Sequence, residues 1–157
     1  MKHKTITIDL AKNVFQVCGV NEHIKPQFNK KLKRNELLDF MRQQLPTVVV
    51  MEACYSSHYW GREIAKLGHD TKLIPAQHVT PFVRGNKNDH NDAFAIAEAS
   101  QRANIRFVPV KSEHQQEISC FWGNVFGYKA DPAGPSLLAS QNNNLSLSQK
   151  EVLLWHQ

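Results

Sequence analysis

The chain predicts an α/β fold with a mixed central sheet, and three features of its 157 residues carry that expectation. Alternating β-rich runs lie close together near the N-terminus, a compact Val-Val-Val-Met run follows later, and stretches of helical period separate the later β-rich runs. Adjacent runs joined by short turns pair antiparallel, whereas runs separated by helices pair in parallel. Together they give one sheet of mixed direction, with five strands flanked by helices.

In KTITIDL (Lys4 to Leu10), Ile6, Ile8 and Leu10 share one face and Thr5, Thr7 and Asp9 the other, so a strand ends in a carboxylate. VFQVCGV (Val14 to Val20) is near enough to return as a hairpin through Ala11 to Asn13, and HIKPQFN is a third run that Pro26 confines to an edge. KRNELLDFMRQQL spaces Leu37, Leu38, Phe40, Met41 and Leu45 along one helical face, with Asn35 as the candidate cap. The basic run KKLKR (Lys30 to Arg34) reads as the solvated entry to that helix.

PTVVVMEA has the unbroken β-branched character of a strand covered on both faces, and its period of two puts Val48, Val50 and Glu52 on one side. HYWGREIAKLGH reads as a helix stopped by Gly68, with Ser56 or Ser57 as its cap and Tyr59 or Trp60 packing on the sheet. DTKLIPA is the fifth strand. The polar, basic connector QHVTPFVRGNKN then leads to a helix beginning near Asn88, in which His90 is a solvent-facing residue of the first turn. Patterning stops near Glu117. Residues 1–117 therefore read as one domain, and 118–157, with scattered aromatics, Pro/Gly punctuation and a run of three Asn, as a poorly ordered tail.

Composition narrows the function classes. No apolar run approaches the roughly 20 residues that cross a bilayer, and the N-terminus lacks the apolar stretch of a secretory signal, so a cytoplasmic protein without a membrane partner is expected. Cys18, Cys54 and Cys120 form no CxxC pair and predict neither a disulfide framework nor a zinc ribbon. The net charge is +5, and 17 of the 19 Lys+Arg against 12 of the 14 Asp+Glu precede residue 118, so a polyanionic partner would bind within the first three quarters. No G-x-S-x-G elbow supports a serine hydrolase around Ser57 and His58.

The acids form the chemical signal. At about 100° per residue, Asp92 falls near 300° from Asp89, beside Ala93, Ile96 and Ala97 at about 40°, 340° and 80°, whereas Glu98 and Arg102 fall on the opposite, solvent side. A pair that only complemented the helix dipole has no reason to share the apolar face. Glu52 ends a buried β-run, and a buried carboxylate costs several kcal/mol unless paired or metal-bound. With Asp9 at another strand end, the four acids can cluster if the first strand neighbours the Val-rich strand and the last helix packs over their ends. Hard divalent cations are the usual resolution of such repulsion. The alternative use of Asp89 and Asp92, as cap and first-turn acid, stays open on spacing alone.

IDLAKNVFQV with Asp9, and VVVMEACYSSHYWGREIAKLGHDTKLIPAQHVTPFVRGNKNDHNDAFAIAEA with Glu52, Asp89 and Asp92, resemble the N-terminal catalytic domain of the DEDD transposases of bacterial insertion sequences. That group includes Piv-type site-specific DNA invertases and bridge-RNA-guided recombinases. The resemblance runs from about residue 3 to about residue 117. It implies a RuvC-like, ribonuclease H-like fold, assigns Asp9, Glu52, Asp89 and Asp92 as catalytic ligands of two Mg²⁺ ions that Mn²⁺ can replace, and implies DNA and a structured guide RNA as partners and a homo-oligomer as the intact form. It also implies a second domain with a nucleophilic serine. Nothing after Glu117 matches that domain, and Ser136, Ser140, Ser146 and Ser148 fit no family motif, which predicts a truncated or frame-disrupted copy, or one whose end is read into unrelated sequence.

Lys12, Arg62, Arg84 and Lys87 are the candidate nucleic-acid contacts. Lys12 follows the Asp9 strand, Arg84 and Lys87 precede the acidic helix, and Arg62, with Lys66, lies on the helix after Glu52. The expected reaction is metal-dependent cleavage and transfer of DNA strands. The alternatives are a stand-alone RuvC-like nuclease or junction resolvase using the same acids, and a nucleic-acid-binding remnant that does not cut.

Overall fold

A computed structural model describes residues 5–82 and 89–126 of the protein; inside its helices, the side chains of 89–91 and 121–126 fall outside the description. Arg84, Lys87 and the tail from 127 onward therefore lie outside the described residues.

Five strands, β1 (Thr5–Leu10), β2 (Val14–Val20), β3 (Pro26–Lys33), β4 (Val48–Glu52) and β5 (Asp70–Ile74), form one sheet in the order β3-β2-β1-β4-β5. β1, β2 and β3 form an antiparallel meander, while β4 pairs in parallel with both β1 and β5. The mixed α/β sheet expected from the sequence is thus present, and its architecture is consistent with a ribonuclease H-like fold. Helices α1 (Leu37–Arg42), α2 (Ser57–Lys66), α3 (Ala76–Val79), α4 (Asp89–Ser100) and α5 (Glu113–Phe126) complete the described chain. None of them is long and apolar enough to cross a membrane.

Strand alternation separates two cores. Ile6, Ile8, Phe15, Val17, Val49, Met51 and Leu73 point to one face, where they bury Leu37 and Met41 of α1 and Trp60 and Ile64 of α2. On the other face Cys18, Val20, Val50 and Ile74 lie under Ala93, Ala95, Ile96, Ala97 and Ala99 of α4. The small side chains let this helix approach the sheet closely, and both faces of β4 are covered, as its unbroken β-branched run requires. Trp60 packs edge-on to Phe15 with ring centroids 5.2 Å apart, while Tyr59 stays 44% exposed.

Several local expectations are corrected. KKLKR is not a helix entry: Lys30, Lys31 and Lys33 lie on edge strand β3, and a 3-10 turn, Arg34–Glu36, follows. Asn35 does not cap α1; instead the Lys33 N–H donates to Glu36 Oε2 at 2.8 Å. Leu45 lies beyond α1 and is 69% exposed, because the helix ends at Arg42 and Leu37 with Met41 already fill its core contact. The connector after β5 is not irregular throughout: it holds α3 and a 3-10 turn at Thr80–Phe82. Glu98 is half-buried rather than solvent-facing, because α4 buries Ala95, Ala97 and Ala99 around it. Helix α5 runs through residue 117, where patterning was expected to stop.

Two glycines are required by geometry. Gly68 closes α2 at φ +92°, a left-handed turn in which its N–H reaches the Ala65 carbonyl at 2.9 Å. A Cβ on Gly19 would sit 2.3 Å from Cε1 of Phe28, its cross-strand partner. Gly19→Ala is therefore expected to cost about 1–3 kcal/mol in chemical denaturation, and Phe28→Leu in the same chain to recover part of that loss.

Candidate functional site

The parallel pairing of β1 and β4 builds the site. Their register runs Thr5↔Val48 through Ile8↔Met51, and one further step along it sets Asp9 beside Glu52. Both acids lie on the α4 face, since they alternate with Ile8 and Met51 of the opposite core. Both are half-buried, and each is engaged by a neighbouring group. The position is the boundary where the sheet changes from its antiparallel meander to its parallel half, at the carboxyl ends of β1 and β4, where open α/β sheets place their ligands.

Helix α4 is fixed over these ends by a buried hydrogen bond. Thr7 Oγ1 donates to the Ala93 carbonyl at 2.7 Å. Thr7 is two residues from Asp9 on the same strand face, and Ala93 follows Asp92, so this bond holds the acidic end of α4 beside Asp9 and Glu52. Asp92 is half-buried, and its Oδ1 is buried without a hydrogen-bond partner among the described residues. Asp89 is the first residue of α4, one turn earlier; its side chain is outside the description.

Among the described residues, no group of three or more His, Cys, Asp or Glu side chains is arranged to hold a metal ion. Like-charged carboxylates on neighbouring elements spread apart unless a cation draws them together. In donor chemistry, rather than in arrangement, the residues suit a hard divalent ion: Asp9, Glu52 and Asp92 are oxygen donors on adjacent elements, and the Asp92 Oδ1 is a buried acceptor without a partner among the described residues.

The sheet extends the polar row. Asp9 pairs with Gln16, and Gln16 with Lys31, so Glu52, Asp9, Gln16 and Lys31 stand side by side across four strands. No motif marked Gln16. Its signal was the alternation itself, which puts one amide among Phe15, Val17 and Cys18, opposite Asp9 across a three-residue turn.

The basic candidates divide. Lys12 is exposed in the β1–β2 turn, at the same end of the sheet as Asp9. Arg62 lies on α2, across the sheet from the acids, where its Nη1 donates to the Lys111 carbonyl at 2.7 Å and to Gln116 Oε1 at 3.0 Å. The Lys111 N–H in turn donates to Nδ1 of buried His58 at 3.1 Å, and Gln116 Nε2 donates to the Tyr55 carbonyl at 3.0 Å. Arg62 therefore ties α2 to the segment that leads into α5. Lys66 pairs with Glu63 at 2.6 Å on the exposed side of the same helix. Ser57, rather than Ser56, closes the turn after β4: its Oγ accepts the Cys54 N–H at 3.0 Å and donates to the Cys54 carbonyl at 2.8 Å.

Thr7→Val, which keeps volume but removes the donor to Ala93, is expected to lower stability by about 1–2 kcal/mol in denaturant unfolding. Arg62→Met is expected to cost about 1–3 kcal/mol and to leave the salt dependence of nucleic-acid binding unchanged, because that guanidinium is already engaged.

The family model described as Transposase, for the DEDD transposases of insertion sequence IS110, matches residues 6–121. The chain is 50% identical over 118 residues to a "Probable family 20 transposase" of Pseudomonas aeruginosa, covering 75% of this chain and 35% of that protein. It is 44% identical over 115 residues to the transposase for insertion sequence element IS1111A of Coxiella burnetii, covering 73% and 32%. Over 114 residues it is 42% identical to the transposase for insertion sequence element IS1328 of Yersinia enterocolitica, covering 73% and 34%. The chain thus spans about a third of the length of these curated relatives. No solved structure gives a significant match. The chain belongs to the IS110-type DEDD transposase family.

Proposed function

We propose that this chain is the cation-binding, RuvC-like part of an insertion-sequence transposase that cleaves and transfers DNA strands under the guidance of a structured RNA. One observation carries the reading: the β1–β4 register brings Asp9 beside Glu52 while the Thr7–Ala93 bond holds Asp92, with its orphaned oxygen, at the same end of the sheet. The relatives are named as transposases of insertion-sequence elements, which supports DNA as the substrate.

Asp9, Glu52, Asp89 and Asp92 would hold Mg²⁺, two ions by the family resemblance, with Mn²⁺ able to substitute. When bound, such ions would supply activation of a nucleophilic oxygen and stabilisation of a leaving oxygen in phosphodiester chemistry. The chain's own contribution is placement. Strand pairing fixes Asp9 against Glu52, Thr7 fixes the start of α4, and exposed Lys12 offers a phosphate contact at the same end. Arg84 and Lys87, outside the described residues, precede α4 in sequence and are proposed to contact phosphate there. The guide RNA, the serine nucleophile of a second domain and the homo-oligomer rest on the family resemblance.

Thermal unfolding with titrated Mn²⁺ tests the site directly, since a ligand that binds only the folded chain raises the melting temperature with concentration. The wild-type melting temperature is expected to climb with Mn²⁺. That of Asp92→Asn, which relieves a buried unsatisfied charge, is expected to start no lower than wild type yet stay flat. Asp9→Asn is likewise expected to stay flat, and to abolish any Mg²⁺-dependent nicking of supercoiled DNA by the purified chain. A wild-type melting temperature indifferent to Mn²⁺ and Mg²⁺ would overturn the reading.

A further inference from the structure

We propose that Gln16 is a positioning residue of the acid site, supplying through Oε1 an additional oxygen acceptor for a hydrated divalent cation held by Asp9. This rests on the cation-binding reading above and adds a residue to it from β2.

Three observations converge on Gln16. It is 5% exposed, among the most deeply buried polar side chains described, in a strand whose neighbours are apolar. It is the register partner of Asp9 on β1, so the two Cβ atoms lie on one face about 4.5–5.5 Å apart. Its two amide atoms have different fates: Nε2 donates to Oδ1 of Asn29 on β3, while Oε1 is buried with no hydrogen-bond partner among the described residues.

An amide in a buried strand is costly unless both ends are satisfied. Here the Asn29 bond orients the amide, and the remaining atom is an acceptor only. An acceptor repels phosphate oxygens, so the group that satisfies it must carry a positive charge or a proton to donate. Beside a carboxylate that is itself a hard oxygen donor, a divalent cation with its hydration shell meets that requirement. Asn29 to Gln16 to cation is the arrangement in which an outer partner orients an inner one and tunes the site.

The test uses Mn²⁺ alone, with affinity read from water-proton relaxation on the full chain, for wild type, Asp9→Asn, Gln16→Met and Gln16→Glu. Gln16→Met keeps the length of the side chain but removes the acceptor. It is expected to weaken Mn²⁺ binding about 10-fold or more while the folded circular-dichroism spectrum is retained. Gln16→Glu keeps an oxygen and adds charge, and is expected to bind Mn²⁺ more tightly than wild type. If wild type binds Mn²⁺ and Asp9→Asn loses it, but Gln16→Met binds as wild type does, Gln16 is only a structural partner of Asn29 and this inference falls alone. If wild type binds no Mn²⁺, the cation-binding reading falls and takes this one with it. Should Gln16→Met fail to fold, Gln16→Glu decides: binding no tighter than wild type overturns the role.

Discussion

Everything chemical in this domain depends on one backbone constraint, the parallel pairing of β1 with β4. Because side chains alternate with a period of two, slipping that register by one residue would send either Asp9 or Glu52 to the opposite face, among Trp60, Met51 and Ile64. The register is specified twice over. Ile6 and Ile8 must meet the α1/α2 core while Thr7 must meet α4, and no one-residue slip satisfies both. The apolar cores thus place the acids without touching them.

The two faces of the sheet do different physical work. The α1/α2 face is the scaffold: it holds most of the large fully buried side chains and the ring–ring contacts, and several of its buried polar groups are partnered, although Trp60 Nε1 and Arg62 Nε have no hydrogen-bond partner among the described residues. His69 shows the pattern, with its Nδ1 accepting the Thr47 N–H at 3.3 Å and its Nε2 3.1 Å from the Met41 carbonyl. The α4 face is packed with alanines and small residues, and there the buried orphaned oxygens of Gln16 and Asp92 stand near the acid cluster. An unsatisfied buried acceptor costs on the order of 1–3 kcal/mol. Cys18 shows how apolar the same face becomes one step inward, since burial pushes its thiol up to about 11 despite a lowering contribution from Thr7.

Strand and helix placement was legible in the sequence because it rests on local period. β2 matches its sequence reading at both ends, and Pro26 did mark an edge strand. Errors arose where tertiary context overrode local signals. KKLKR lacks β propensity, yet pairing with Phe15, Gln16 and Val17 extends β3 through it, and lysines on a free edge also discourage further pairing. A helical wheel with one apolar face could not anticipate that α4 buries alanines over a wide arc, which draws Glu98 partly inward. For Arg62 the sequence shows charge but not its intramolecular partners: Lys111 and Gln116 are 49 and 54 residues away. Of the candidate site, the acids were legible as a motif. Gln16 required the register, which only the folded sheet supplies.

The row Glu52–Asp9–Gln16–Lys31 also gives the domain a polarity that net charge conceals. Acid lies at the centre of the sheet and base at its β3 edge, with Lys30 and Arg34 near that edge folded back over Phe40 and Trp60 rather than projecting freely. Neighbouring strands lie about 4.8 Å apart, so Lys31 on β3 stands two strands, roughly 10 Å, from Asp9 on β1. On the proposed reading, a polyanion approaching this end of the sheet from its β3 edge would meet exposed Lys31 before the carboxylates, which would repel it unless cations intervene. On that reading, nucleic-acid affinity and cation occupancy would be coupled: salt would weaken the approach over the basic edge, and a divalent ion would decide whether a phosphate is tolerated over Asp9 and Glu52.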